Sequence, residues 1–146
     1  MIPLSLMAKI NELPPDKRGA VIEDIQRAMG NESLCDFIAR LTPHEPPPDH
    51  IKLITELFER ARFERVMVCL SWPPRHAKTV TVLKGLAWWL NDFPGDTNAY
   101  TTYSDRHAGS KSRIARDFAR GAGVEMAPDM DNLAEWRTTA GGGLLA

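Results

Sequence analysis

Apolar residues recur at helical spacing along most of the chain and at strand-like density in only two places. Ser5 to Leu13 predicts a short helix stopped by Pro14-Pro15. Asp16 to Met29 predicts a second, with Val21, Ile22, Ile25, Ala28 and Met29 on one stripe and Gly30 closing it. Ser33 to Leu41 predicts a third, in which Ser33 and Asp36 have capping-box spacing and Leu34, Phe37, Ile38 and Leu41 face inward. The stretch Thr42-Pro43-His44-Glu45-Pro46-Pro47-Pro48 then removes four backbone donors and reads as an extended connector.

Beyond it, Asp49 is placed to cap a helix through about Ala61, buried through Ile51, Ile54, Leu57 and Phe58. Arg65-Val-Met-Val-Cys-Leu-Ser71 is a continuous apolar run, the pattern of a strand buried on both faces. Helical spacing returns from Lys78 to Asn91 through Val82, Leu83, Leu86, Ala87 and Leu90; of Trp88 and Trp89, one ring is expected in the core and the other half exposed. A turn at Phe93-Pro94-Gly95-Asp96 leads to a second strand over Asn98 to Tyr103, and Ser104 or Asp105 caps a helix to Arg120, ended by Gly121. Strand, loop, helix, strand, helix is a βαβ order. The tail from Val124 gives no firm element except a possible edge strand near Trp136 to Thr139, and Asp129, Asp131 and Glu135 read as loop and cap residues. The pattern thus divides into a helical region (1–42), a proline-rich linker (43–48) and an α/β part (49–146).

Composition narrows the function classes. The chain has 146 residues, with 18 Lys plus Arg against 19 Asp plus Glu, so no whole-protein basic field is present to grip nucleic acid. No apolar run reaches the ~18 residues of a membrane span, the opening residues lack a secretory signal, and a cytoplasmic location is expected. Cys35 and Cys69 sit among apolar neighbours and read as reduced core residues. The four histidines are too scattered for a zinc site.

Candidate chemistry concentrates in Ser71-Trp72-Pro73-Pro74-Arg75-His76-Ala77-Lys78-Thr79, which joins the expected buried strand to a helix. Amides of a first helical turn lack intrahelical acceptors and carry the positive end of the helix dipole, so an anion is favoured there. Pro74, Arg75, His76, Ala77, Lys78 and Thr79 are the candidate nucleotide-binding residues. Lys78 would reach the β- and γ-phosphates of ATP, the Thr79 hydroxyl would ligate magnesium, and Arg75 would offer a planar fork to a phosphate or a carboxylate. Positions that are glycine in the usual phosphate loop hold Trp72 and Ala77; a positive φ at 77 would cost alanine about 1–2 kcal/mol. On the later helix, Arg106, Arg113, Arg116 and Arg120 lie near one face, which fits a solvated surface or a surface that tracks DNA phosphates.

Pro73-Pro74-Arg75-His76-Ala77-Lys78-Thr79 resembles the Pro-Pro-Arg-His-Gly-Lys-Ser box of the large terminase subunits of tailed bacteriophages. His50 with Ile51 to Arg60, Tyr100-Thr101-Thr102-Tyr103-Ser104 with Arg106-His107-Ala108, Lys111-Ser112-Arg113-Ile114-Ala115-Arg116-Asp117, and Trp136-Arg137-Thr138-Thr139-Ala140-Gly141-Gly142-Gly143 resemble that family's flanking elements in the same order. The resemblance implies part of a P-loop NTPase-like fold and the ATPase that drives viral DNA packaging, with ATP and magnesium as cofactors. It further implies double-stranded DNA, the portal of the procapsid and the small terminase subunit as partners, together with self-association. Ala77 departs from the family's glycine, no apolar strand ending in paired acids follows, and the nuclease acids are absent. The chain therefore reads as the N-terminal portion of such an ATPase, truncated and not expected to turn over ATP alone. Two other readings stay open: a non-enzymatic helical adaptor or regulator, and a small P-loop phosphate-transfer protein.

Overall fold

The computed structural model describes residues 10–15, 17–19, 21–22, 32–132 and 134–146, with the backbone alone at 129–131. Helical backbone occurs at 10–11 and on 15, 17–19 and 21–22; the remainder of the two helices expected over 5–13 and 16–29 lies outside the described residues. The chain is mixed α/β. Helix α1 is Leu34–Leu41, α2 Lys52–Ala61, α3 Lys78–Asp92 and α4 Asp105–Gly121; the strands are β1 Thr97–Ala99, β2 Met126–Asp131, β3 Glu135–Thr138 and β4 Gly143–Leu145.

The capping chemistry read at Ser33 is present. Its hydroxyl accepts the Asp36 N–H at 3.1 Å and donates to the Asp36 carboxylate at 2.7 Å, while the Leu34 N–H reaches Glu59 Oε1 on α2 at 3.0 Å. Asp49 does not cap α2. Pro48, extended at φ −70° and ψ 148°, leads into a 3₁₀ turn over Asp49–Ile51, and the Asp49 carboxylate pairs instead with Lys52 at 2.7 Å. Ser104 caps α4, accepting the His107 N–H.

The four strands form one mixed sheet in the order β1-β4-β3-β2, with β1 parallel to β4 and the other neighbours antiparallel. The tail expected to be irregular thus supplies three of the four strands. Trp136 to Thr138 is interior to the sheet rather than at its edge, and Asp129, Asp131 and Glu135 lie within strands. A two-residue alternation is hard to see over three or four residues, so these short strands carried little signal. Pro128 falls in β2, an edge strand, where its missing N–H is tolerated. The β3–β4 turn is tight: a Cβ on Gly143 would lie 2.1 Å from the Trp136 carbonyl oxygen, which excludes any side chain. Of the expected strand over 98–103, only Asn98 and Ala99 join the ladder; Tyr100 adds one bond from its N–H to the Leu145 carbonyl at 2.8 Å.

The largest correction concerns Arg65–Ser71. It is extended chain outside the sheet, with Met67, Val68 and Cys69 exposed, not a strand buried on both faces. Its apolar content signals a surface that favours cover. A strand also needs neighbours for its N–H and C=O groups, and no described strand lies beside it. The expected βαβ unit is accordingly not formed among the described residues: α3 is preceded by an unpaired ribbon rather than a strand.

The core lies among α1, α3, α4 and the sheet. Leu34, Phe37, Leu83, Trp88, Trp136 and Leu144 are fully buried in one cluster. α4 offers it a face of small residues, Ala108, Ser112, Ala115 and Ala119, which lets α3 approach closely. Both buried indoles find acceptors: Trp136 Nε1 donates to the Ser112 hydroxyl at 3.1 Å and Trp88 Nε1 to the Glu32 carbonyl at 2.9 Å. Trp89 is half-buried. The Arg62 guanidinium lies 3.7 Å above the Trp88 ring and pairs with Asp92; burial pulls its pKa down to about 10, so it stays charged at neutral pH. Lys84, also buried, donates to Thr42 Oγ1 at 3.0 Å and sits 5.5 Å from the Phe118 ring centre; burial lowers its pKa below the ordinary lysine value. On its outer side α3 meets α2 through Gly85, where an added Cβ would lie 2.7 Å from the Phe58 ring.

Candidate phosphate-binding site

Residues 72–77 leave the exposed ribbon and turn into α3, whose first helical residue is Lys78. Two prolines fix φ at 73 and 74 and supply no N–H. The turn is then made by left-handed residues, Arg75 at φ 65° and Ala77 at φ 54°, without a glycine. Ala77 is also the N-cap of α3 and has no side chain with which to cap it. His76 closes a tight turn over 73–76 with Arg75 at its left-handed position, so the amides left without an acceptor among the described residues are those of Arg75 and of Ala77 to Val80; the first bonded amide of the helix is Thr81, to the Ala77 carbonyl at 2.8 Å. Unpaired amides at a helix start beside left-handed residues are groups that an anion can meet.

Lys78 is half-buried, and its ammonium donates to the Trp72 carbonyl at 3.1 Å, closing the loop across its mouth. The ammonium is therefore held beside the amides rather than buried against the sheet. Thr79 is half-buried, while Pro74, Arg75 and His76 are exposed. His76 Nδ1 donates to the Pro74 carbonyl at 2.9 Å, which fixes the ring over its own turn.

Sequence reasoning missed His50. From the 3₁₀ turn before α2, its Nε2 donates to the His76 carbonyl at 3.3 Å, and its ring stands edge-on to Trp72 and His76 at 5.9 and 5.6 Å. It braces the loop from outside. Nothing in the spacing between positions 50 and 76 announces this contact, which depends on how α2 packs on α3.

Arg106, Arg113 and Arg120 are exposed on α4 and Arg116 is half-buried. At ~100° per residue the four fall within an arc of about 80°, across the helix from Ala108, Ala115 and Ala119. Both cysteines are free thiols. Neither belongs to the core: Cys35 is half-buried, with its sulfur 3.7 Å from Thr55 Oγ1, and Cys69 is exposed on the ribbon, where the missing strand partners leave it uncovered. Among the described residues no three His, Cys, Asp or Glu side chains converge as metal ligands, and no helix is long and apolar enough to cross a membrane. No protein-family model, curated protein or solved structure matches the chain.

Proposed function

We propose that the loop over 72–77 and the first turn of α3 bind the phosphates of ATP with magnesium, and that the chain is the ATP-binding N-terminal portion of a large terminase subunit of tailed bacteriophages. The fold this reading calls for is part of a P-loop NTPase. The observation that carries it is the set of unbonded amides from Ala77 to Val80 at the start of α3, with the Lys78 ammonium held by the Trp72 carbonyl of the same loop. A polyphosphate supplies what those donors lack, and the helix dipole adds to the attraction.

Within this reading each residue has a role set by its chemistry. Lys78 exchanges the Trp72 carbonyl for the β- and γ-phosphates. Arg75, exposed at the turn, offers two parallel N–H groups to a phosphate oxygen pair. Thr79 presents one hydroxyl to magnesium, whose other ligands come from phosphate and water; the ion offsets phosphate charge. The residues described provide for binding, and the carboxylate that would orient an attacking water is not among the assigned groups. DNA packaging then assigns the Arg106, Arg113, Arg116 and Arg120 face to duplex phosphates, and the portal, the small terminase subunit and further copies of the chain to assembly.

Titration of the full chain with Mg-ATP, followed calorimetrically, tests the proposal. Lys78→Ala is expected to weaken binding by at least about tenfold, roughly the worth of one charge-assisted contact to phosphate, with the far-ultraviolet spectrum unchanged. Equal affinity of the folded variant and the parent, or no binding by the parent, would overturn it.

A further inference from the structure

Ala77 holds a conformation that its own chemistry disfavours. At φ 54° it is left-handed, and there its Cβ crowds the backbone as no glycine would. A half-turn of the peptide joining His76 to Ala77 would carry φ at 77 to about −125°, where that crowding is absent. Turn types I and II differ by the same motion of one peptide, so the path is short. The observed orientation therefore needs a holder.

His50 grips that peptide from outside the loop. Its Nε2 donates to the His76 carbonyl at 3.3 Å, and its ring is flanked edge-on by Trp72 and His76. The 3₁₀ turn that carries it is anchored by the next residue: Ile51 is 2% exposed, and its N–H bonds to the Pro48 carbonyl at 3.0 Å. The grip thus comes from the packed body of the molecule. In a trans peptide the C=O and N–H point opposite ways. With its oxygen turned to His50, the peptide aims the Ala77 N–H away from that ring, and this N–H meets no acceptor among the described residues. Reversed, the same peptide would offer a carbonyl oxygen where a donor now stands, and its partial negative charge would repel an anion.

We propose that His50 is a positioning residue: it holds the 76–77 peptide against the flip that a left-handed Ala77 favours, and so keeps the Ala77 N–H available to phosphate. The second half of this statement rests on the nucleotide reading; the clamp itself does not. Glycine at 77 would be at ease in either orientation, so the clamp matters because that residue is alanine.

A double-variant cycle in the full chain tests it, and thermal unfolding reads the clamp without nucleotide. Ala77→Gly relieves strain only while the clamp enforces it. The rise in Tm that it gives the parent should therefore disappear in a His50→Ala background and return in His50→Gln, whose side-chain amide donates as Nε2 does. No rise in the parent, or an equal rise in all three backgrounds, would overturn the proposal. Calorimetric titration with Mg-ATP reads the consequence. His50→Ala should weaken binding by about three- to tenfold, the worth of one hydrogen bond, and His50→Gln should stay near the parent. In an Ala77→Gly background the change to alanine at 50 should cost less than about twofold. Equal affinity of His50→Ala and the parent, or His50→Gln as weak as His50→Ala, would also overturn it. If the parent binds no Mg-ATP, the nucleotide reading fails, and the Tm cycle alone then upholds or overturns the clamp.

Discussion

Ala77→Gly isolates the least comfortable residue of the loop. Ala77 holds φ 54°, a conformation that costs an L-residue about 1–2 kcal/mol relative to glycine. Against this, glycine adds about 0.4–1 kcal/mol of unfolded-chain entropy that folding must remove. The N-cap position favours glycine over alanine as well, because alanine neither caps nor relaxes there. The balance is a stabilisation of about 0.5–1 kcal/mol, which for a chain of 146 residues is a rise of roughly 1–4 °C in Tm. Thermal unfolding followed by circular dichroism reads it directly. Since the substitution alters no side chain assigned to phosphate or magnesium, it should move Mg-ATP affinity by less than about threefold, so stability and affinity separate. Ala77→Val is the opposing control. A β-branched residue is a steric outlier at that φ, and it should lower stability by at least about 1 kcal/mol. The sign decides the matter: if Ala77→Gly destabilises, entropy alone is acting, position 77 is not left-handed, and the loop geometry argued above fails.

Other perturbations test the supports of the site. Gly85→Ala gains about 1 kcal/mol of helix propensity but drives a methyl into the Phe58 ring; a net loss of about 1–3 kcal/mol is expected by urea denaturation, relieved in the double variant with Phe58→Leu. If Gly85→Ala stabilises, α2 does not press on α3 as described. Lys84 has a folded-state pKa lowered by burial, so between that value and 10.5 the unfolded chain binds more protons than the folded one. Stability of the parent should therefore rise with pH through that window relative to Lys84→Met, whose neutral side chain has no such dependence. Parallel curves for the two proteins, measured by denaturation across the alkaline range, would show that Lys84 is solvated.

The helices were legible because their signals are local and repeated. Ser33 with Asp36 and the spans of α1, α2, α3 and α4 each read correctly to within a residue or two at their ends, although Gly121, expected to end α4, is its last helical residue; that one of Trp88 and Trp89 is core and the other half-buried followed from helical spacing. The sheet was not. β4 is three residues long, β3 four, and β1 finds its partner 46 residues away, so pairing is fixed by tertiary contact rather than by alternation. The ribbon misled in the opposite direction: five apolar residues in a row report a preference for cover and say nothing about whether a neighbour is present. In the loop, Lys78 and Thr79 fall at the helix start as their spacing indicated. The left-handed Arg75 and the brace from His50 left no trace in residue type.

β1 pairs only with β4, across the helix and two strands that separate Ala99 from Gly143. On a ribosome adding about 5–20 residues per second, those 44 intervening steps take on the order of 2–9 s, longer than most small-domain collapse. During that interval α3 and α4 can meet, but the sheet cannot close until β4 has followed. Nascent chains of this protein should therefore spend seconds as a helical intermediate, and chaperone occupancy during translation should end only after Leu144 is free to enter the core.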